Sequence, residues 1–200
     1  MDPMKNTNSP DDSQHRLNEA ALAVLQAAPG CQMNFVALNK ALFYLDLIAL
    51  QATGQTVTGS AYVALHQGPV VAKYESRLVK PLEDAHVAIQ TKVGSAKPIR
   101  VMAQVSNFPH LADWQIHLAS TLGRVLGDKT STLMSVISHR NPGWKAAYEA
   151  GLSSKKWPMA IDMMLALQQL GEADLWLDEA PASEDLADLE KATIEDGACW

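Results

Sequence analysis

The sequence predicts an α+β fold that is predominantly helical, with a helical core domain and a small antiparallel sheet of about three short strands. Apolar residues recur at helical spacing in several segments of the 200-residue chain. Two β-rich runs are joined by a loop that contains glycine and proline, as in a hairpin. The composition, 48% hydrophobic and 19% charged, is typical of a globular domain and excludes collagen, a coiled coil and wholesale disorder.

The ends of the first two helices are marked by capping residues. The first helix is predicted to begin near Asp11 and to end at Pro29-Gly30. The second is predicted to run from an Asn34 cap to about Thr53, before a terminating glycine. Because this second helix is apolar almost all round, we expect it to lie in the centre of the core.

The middle of the chain changes character and predicts the small sheet. Residues 61–66 are predicted to form a short strand, after which Gly68-Pro69 is expected to begin a helix over residues 70–80. The runs 86–93 and 99–105 are predicted to pair as a hairpin with a long loop.

Four further helices are predicted in the second half of the chain. They are a long helix capped by Ser106 or Asn107 and ending at Gly127, a shorter one over 131–138, one over 144–150 that Gly151 stops, and a last one that Pro158 opens and Gly171 ends. The apolar stripe expected on the long helix comprises Leu111, Trp114, Leu118, Leu122 and Val125.

Charge divides the chain unevenly. Residues 171–200 contain ten acids and one base, whereas the preceding 170 residues contain 12 acids and 15 bases. We therefore expect an acidic, flexible tail over 171–200. It follows one predicted domain over 13–170, and residues 1–12 are predicted to form a disordered leader. Within the tail, Leu175-Trp176-Leu177 is typical of a short segment that becomes ordered on a partner. An acidic tail disfavours nucleic acid as a partner, because nucleic-acid affinity comes from neutralising phosphates.

Composition also bears on location. The most apolar run, residues 41–50, is interrupted by Asp46 and falls short of the roughly 18 residues of a membrane helix. The polar N-terminus has no apolar region of a secretory signal. Two cysteines, Cys31 and Cys199, do not suggest a disulfide framework, so a cytoplasmic location without membrane contact is expected.

The sequence contains no phosphate-binding glycine-rich loop, no GxSxG or HExxH motif and no paired CxxC motif. No cofactor is therefore predicted. His110, Asp113 and His117 fall on one face of the predicted long helix, but the two histidines are about 10 Å apart along the axis at ~1.5 Å per residue. This separation is too large for one zinc ion, so no metal site is predicted.

Two groups of short segments are more specific indicators of function. The first joins residues 39–46 to residues 62–70, and it places Lys40, Tyr44 and Asp46 in an otherwise apolar helix, where charges must be paired or must reach a surface. The second, residues 137–145, brings His139 close to Trp144. Structural explanations remain open for both, since Gly68-Pro69 can be a turn, His139 a helix cap and Trp144 a core residue.

Together these segments resemble the Panacea antitoxin domain of SocA-like and phage-associated GepA-type antitoxins. In that family a KLLY helix precedes a strand with an aromatic residue, a GPV turn into a helix and a later TH…PW segment. The resemblance spans about residues 34–167, with Ser138 in place of the family threonine and an additional Gly143 before the tryptophan. The matching residues are Lys40, Leu42, Tyr44, Tyr62, Gly68, Pro69, Val70, Ser138, His139, Pro142 and Trp144.

The resemblance implies a bacterial or prophage antitoxin, without enzymatic activity, that neutralises a toxin encoded next to it by direct protein–protein binding. Alternatives are an adaptor that delivers a partner protein to a protease or chaperone, and a small hydrolase that uses His66 or His139 with Cys31 or a carboxylate. The candidate toxin-binding residues are Lys40, Tyr44, Tyr62, His66, Gly68, Pro69, Val70, Tyr74, His139, Trp144 and Trp176.

Overall fold

A computed structural model of the chain describes residues 10–93 and 96–171. The α+β prediction is confirmed: the described residues are mostly helical, with two three-stranded antiparallel sheets where the sequence predicted one. The α-helices are α1 (Pro10–Ala27), α2 (Phe35–Thr53), α3 (Lys80–Asp84), α4 (Asp113–Leu126), α5 (Ser131–His139), α6 (Pro142–Ser154) and α7 (Met163–Ala166). The strands are β1 (Gln32–Asn34), β2 (Tyr62–Leu65), β3 (Gly68–Val71), β4 (Ala88–Gln90), β5 (Pro98–Val101) and β6 (Met159–Ala160).

Helix α2 is the central element, as its apolar pattern predicted. The Asn34 side chain accepts a hydrogen bond of 3.0 Å from the Val36 N–H, and Gly54 ends the helix at φ +75°. Helices α1, α4 and α5 and strand β3 all pack around α2. By length and composition α2 could cross a membrane, but 78% of its apolar window is buried inside the protein, as in the core helix of a folded domain.

The two sheets lie on different parts of this helical frame. The first has the order β1-β5-β4, with Met33 opposite Ile99. The second has the order β3-β2-β6, and Leu65 stands opposite Gly68, so that His66 and Gln67 form a two-residue turn. This second sheet contains the predicted first strand, and the first sheet contains the predicted 86–93/99–105 hairpin in shortened form.

The structure corrects the prediction that Gly68-Pro69 begins a helix. Both residues belong to β3, and helical structure starts only with a π-helical turn over Glu75–Val79 that continues into α3, which contains Pro81. Proline is tolerated because β3 is an edge strand, where a missing N–H removes no ladder hydrogen bond. The edge is covered by α2, whose Asn39 Oδ1 accepts a hydrogen bond of 2.9 Å from the Val71 N–H.

The long helix α4 begins later than predicted, at Asp113 rather than after Asn107. Pro109 disfavours helical geometry only at Phe108; the observed start is set where Ala112 is extended and its N–H donates a hydrogen bond of 2.8 Å to Gln115 Oε1. The predicted stripe is also partly wrong, because Trp114 is 44% exposed and Val125 is 41% exposed. Instead, α4 presents Ala119, Leu122, Gly123 and Leu126 to the interior, and Gly123 lies directly against the α1 backbone at Val24.

Two predicted helix ends in the C-terminal part are wrong. Helix α6 continues past Gly151 to Ser154, and the missing side chain at Gly151 makes room for the Trp157 ring. Pro158 does not open a helix: the chain enters β6, which pairs with β2, before the short α7 and a 3₁₀ turn over Leu167–Gly171. At the other end, α1 begins at Pro10, inside the predicted leader, and nearly all of the predicted acidic tail lies outside the described residues.

Candidate functional site

The β2–β3 hairpin is held against α2 at Gly68. Gly68 adopts φ +104°, a left-handed conformation that side chains rarely take. A Cβ atom at this position would overlap the Ser138 hydroxyl and would lie 2.8 Å from Lys40 Cε and 2.9 Å from Lys40 Nζ. The glycine therefore allows α2, α5 and the hairpin to meet at one point.

Lys40 is a fully buried cation at this meeting point. Its Nζ donates a hydrogen bond of 3.3 Å to the Pro69 carbonyl oxygen. Among the described residues no carboxylate forms an ion pair with it. Because burial disfavours the charged form, the pKa of Lys40 is lowered from 10.5 to about 7.

Asp46, the second buried charge on α2, is compensated by hydrogen bonds. Its carboxylate accepts hydrogen bonds of 2.8 Å from the Thr58 N–H, 2.5 Å from the Thr58 hydroxyl and 2.8 Å from the Tyr62 hydroxyl. Burial raises the pKa of Asp46 to about 6, against the opposing effect of these hydrogen bonds. Burial, followed by the Asp46 charge, raises the pKa of Tyr62 well above its usual value. The sequence argument that charges in α2 need partners is thus satisfied for Asp46 by Thr58, in the loop before β2, and by Tyr62, the first residue of β2.

Tyr44 takes part in a third buried polar group, which sequence reasoning missed. Its hydroxyl donates to Gln169 Oε1 over 3.1 Å, and Asn141 Nδ2 donates to the same oxygen over 2.9 Å. Gln169 Nε2 donates in turn to the Ile137 carbonyl oxygen over 2.8 Å. This arrangement ties α2, α5, the start of α6 and the last 3₁₀ turn together, although Tyr44 and Gln169 are 125 positions apart.

An aromatic cluster, formed by His66, His139, Trp144, Tyr148 and Trp157, joins the hairpin turn to α6. His139 stacks on Trp144 with ring centroids 4.0 Å apart, and Trp144 stacks on Tyr148 at 4.7 Å. The Tyr148 hydroxyl lies 2.5 Å from His66 Nδ1, and His66 stacks on Trp157 at 5.0 Å. Trp144 Nε1 also donates to the Leu65 carbonyl oxygen over 3.0 Å. The cluster reaches the surface at Trp157, which is 36% exposed.

His139 is neutral within this cluster. Burial, followed by the positive charge of Lys40, lowers the pKa of His139 to about 3. Its Nε2 is buried, and it has no hydrogen-bond partner in the part of the chain that the structure describes. The predicted proximity of His139 and Trp144 is confirmed by their stacking.

Most of the candidate toxin-binding residues converge on this region. Tyr62, His66, Gly68, Pro69 and Val70 form the hairpin. Lys40 and Trp144 donate hydrogen bonds to its carbonyl oxygens, His139 stacks on Trp144, and Tyr44 is buried on α2. Tyr74 lies elsewhere, with its ring 5.5 Å from Phe35 and its hydroxyl 3.2 Å from Glu75 Oε1. Trp176 lies outside the described residues. Participation of these residues in toxin binding stays a prediction. Tyr148 and Trp157 were missed, and only their aromatic character could have drawn attention to them.

The structure does not bring Cys31 together with a hairpin histidine, and it gives His110 a different partner. Cys31 Sγ lies 3.5 Å from the Gln26 carbonyl oxygen and 3.5 Å from Gln104 Nε2, next to the first sheet and not to the hairpin histidines. His110 precedes α4 and pairs with Glu19 Oε1 over 2.6 Å. Within residues 10–93 and 96–171, no group of three or more potential ligands could hold a metal ion.

Residues 38–145 match the family model described as antitoxin SocA-like, Panacea domain. The chain belongs to this family. No curated protein and no solved structure is detectably similar to the chain. The Panacea match runs from α2 into α6, and so it contains Lys40, the hairpin and Trp144, while α1, Tyr148 and Trp157 lie outside it. Membership of the Panacea family supports an antitoxin-type role with a protein partner.

Proposed function

We propose that this Panacea protein neutralises a toxin encoded beside it by direct, stoichiometric binding in the cytoplasm. The family supplies the class of function. The observation that carries the mode of action is the aromatic cluster, which connects the buried Panacea hairpin to the surface at Trp157. Tryptophan and tyrosine are enriched among the residues that dominate binding energy at protein interfaces.

The proposed toxin-binding face is the surface around Trp157. Leu152 is 52% exposed on the last turn of α6, and Lys155 and Lys156 are exposed between this helix and Trp157. A face with an apolar centre and a charged rim has the usual anatomy of an interface. The buried members of the cluster, such as Trp144, would act by positioning Trp157 and Tyr148 and not by contacting the toxin.

Graded co-expression tests this function. The flanking open reading frame is expressed inducibly in a bacterium, and this protein is added at increasing doses. We expect the neighbour to arrest growth, rescue to require about one equivalent, and a stable complex to elute on size exclusion. Rescue well below one equivalent would contradict stoichiometric binding and favour a hydrolase. A shortened half-life of the toxin during rescue would favour the adaptor that delivers its partner to a protease.

A further inference from the structure

The surface around Trp157 combines exposed apolar and basic side chains. We name Leu152, Lys155, Lys156 and Trp157 the C-terminal face. The exposed carboxylates nearest in sequence are Glu149 on α6 and Asp162, whose side chain caps the N-terminus of α7. Exposed large apolar side chains next to lysines indicate a surface that an acidic, partly apolar segment would cover.

The chain itself supplies such a segment within reach. The described residues end at Gly171, in the 3₁₀ turn that follows α7 directly and packs against α6. Trp176 follows five positions later, and an extended chain spans at most about 3.6 Å per residue, so Trp176 lies within roughly 18 Å of Gly171. Helix α7 lies against Gly143 and the Trp157 ring lies against Gly151, about 12 Å further along α6 at ~1.5 Å per residue, so an extended segment can span from α7 to Trp157.

The acidic charge around Leu175-Trp176-Leu177 also favours this segment as the one that covers the C-terminal face. Residues 172–200 contain ten acids and one base, and Leu175-Trp176-Leu177 stands between Asp174 and Asp178. The remainder of the chain has an excess of three bases. An apolar triplet between two acids is complementary to an apolar patch that lies next to Lys155 and Lys156.

We propose that Leu175-Trp176-Leu177 docks on the C-terminal face of its own chain. Trp176 covers Trp157 and Leu152, and the flanking acids face Lys155 and Lys156. The docking does not depend on the proposed function, but its consequence does: a toxin that binds this face must first displace the segment. The acidic segment is then an intramolecular competitor, which favours toxins able to displace it and screens the exposed tryptophan in their absence.

Zero-length carbodiimide crosslinking of the full chain tests the docking without any toxin. We expect crosslinks from Lys155 or Lys156 to Asp174, Asp178 or Glu179. The substitution Trp176→Ala should lower their yield about tenfold. The matched control is Trp200→Ala, which removes a tryptophan from the same acidic segment and should leave the yield unchanged. Equal yields for the two variants, or the absence of these crosslinks, would overturn the proposal.

Two further measurements distinguish docking within one chain from docking on a second copy, and docking that competes with the toxin from docking that does not. Mixing isotopically light and heavy protein before crosslinking should give crosslinks within one chain, and mixed pairs would overturn the intramolecular docking in favour of a second copy. With the toxin added, Trp176→Ala should bind several-fold more tightly than Trp200→Ala, whereas a direct toxin contact by Trp176, as the sequence predicted, would make Trp176→Ala bind more weakly. Crosslinks with unchanged toxin affinity would overturn the competition. If no toxin binds at all, the proposed function fails while the crosslinks still report the docking.

Discussion

Lys40 Nζ donates a hydrogen bond to the carbonyl oxygen of Pro69, and this contact joins the central helix to the hairpin that carries the Panacea signature. The ammonium group is fully buried and has no carboxylate partner among the described residues. A buried cation held by one neutral acceptor is costly to maintain, since its desolvation is only partly offset. The lysine therefore makes the stability of this junction sensitive to pH.

We expect the protein to become more stable as the pH rises from 7 to 10. The pKa of Lys40 is lowered from 10.5 to about 7, so in this range the unfolded chain binds more protons than the folded protein. One group can raise the free energy of unfolding by at most about 1.4 kcal/mol per pH unit. Urea unfolding at pH 7, 8 and 9 measures this dependence. The Lys40→Met variant should lose this slope, and a slope that persists in the variant would assign it to another group.

Substitution of Gly68 by alanine should destabilise the protein by about 2–4 kcal/mol. The new side chain would adopt a left-handed φ and collide with Ser138 and Lys40. Gly54→Ala is the matched control, because Gly54 also has a positive φ but a Cβ atom added there would meet no other atom within 4 Å. This control should lose about 1 kcal/mol. Equal losses in thermal or urea unfolding would show that the crowding at the hairpin is unimportant.

The loss of Asp46 should be much more costly than the loss of an exposed aspartate. Asp46→Ala leaves the Thr58 N–H, the Thr58 hydroxyl and the Tyr62 hydroxyl without their acceptor, which should cost about 3 kcal/mol. Asp84→Ala removes a solvent-exposed ion pair with Lys80 and should change stability by less than about 0.5 kcal/mol. The two free energies of unfolding, measured at pH 7.5, provide the comparison.

Gln169 and its neighbour Gln168 offer a pair of variants at adjacent positions. Gln169 is buried and connects Tyr44, Asn141 and Ile137, whereas Gln168 is exposed. We expect Gln169→Ala to lose about 2–3 kcal/mol and Gln168→Ala to lose less than about 0.5 kcal/mol. Similar unfolding midpoints for the two variants would mean that the last 3₁₀ turn does not stabilise the core.

Local patterns in the sequence predicted α2 well and the hairpin poorly. The Asn34 cap, the terminal Gly54 and the nearly continuous apolar surface are all local signals, and all describe α2 correctly. Pro69 carries an equally familiar local signal for the start of a helix, but pairing with β2 and the Asn39 hydrogen bond to Val71 override it. Local propensity is decisive only where tertiary contacts agree with it.

Local sequence patterns were limited in the same way at the candidate site. The motifs correctly placed His139 beside Trp144 and indicated that Asp46 needs partners. They could not indicate the Tyr44–Gln169 hydrogen bond, since it joins residues that only the complete fold brings together. Trp157 reaches the aromatic cluster because Gly151 leaves space for its ring, although glycine in that position looked like a helix end.

The most direct test of the central claim is calorimetric titration of the toxin into two tryptophan variants. Trp157→Ala removes the exposed end of the aromatic cluster, while Trp114→Ala removes a tryptophan of similar exposure from α4. We predict that Trp157→Ala binds the toxin at least about tenfold more weakly than the unmodified protein and that Trp114→Ala binds as the unmodified protein does. Unchanged binding by a folded Trp157→Ala, or a larger loss with Trp114→Ala, would contradict the assignment of the toxin-binding face.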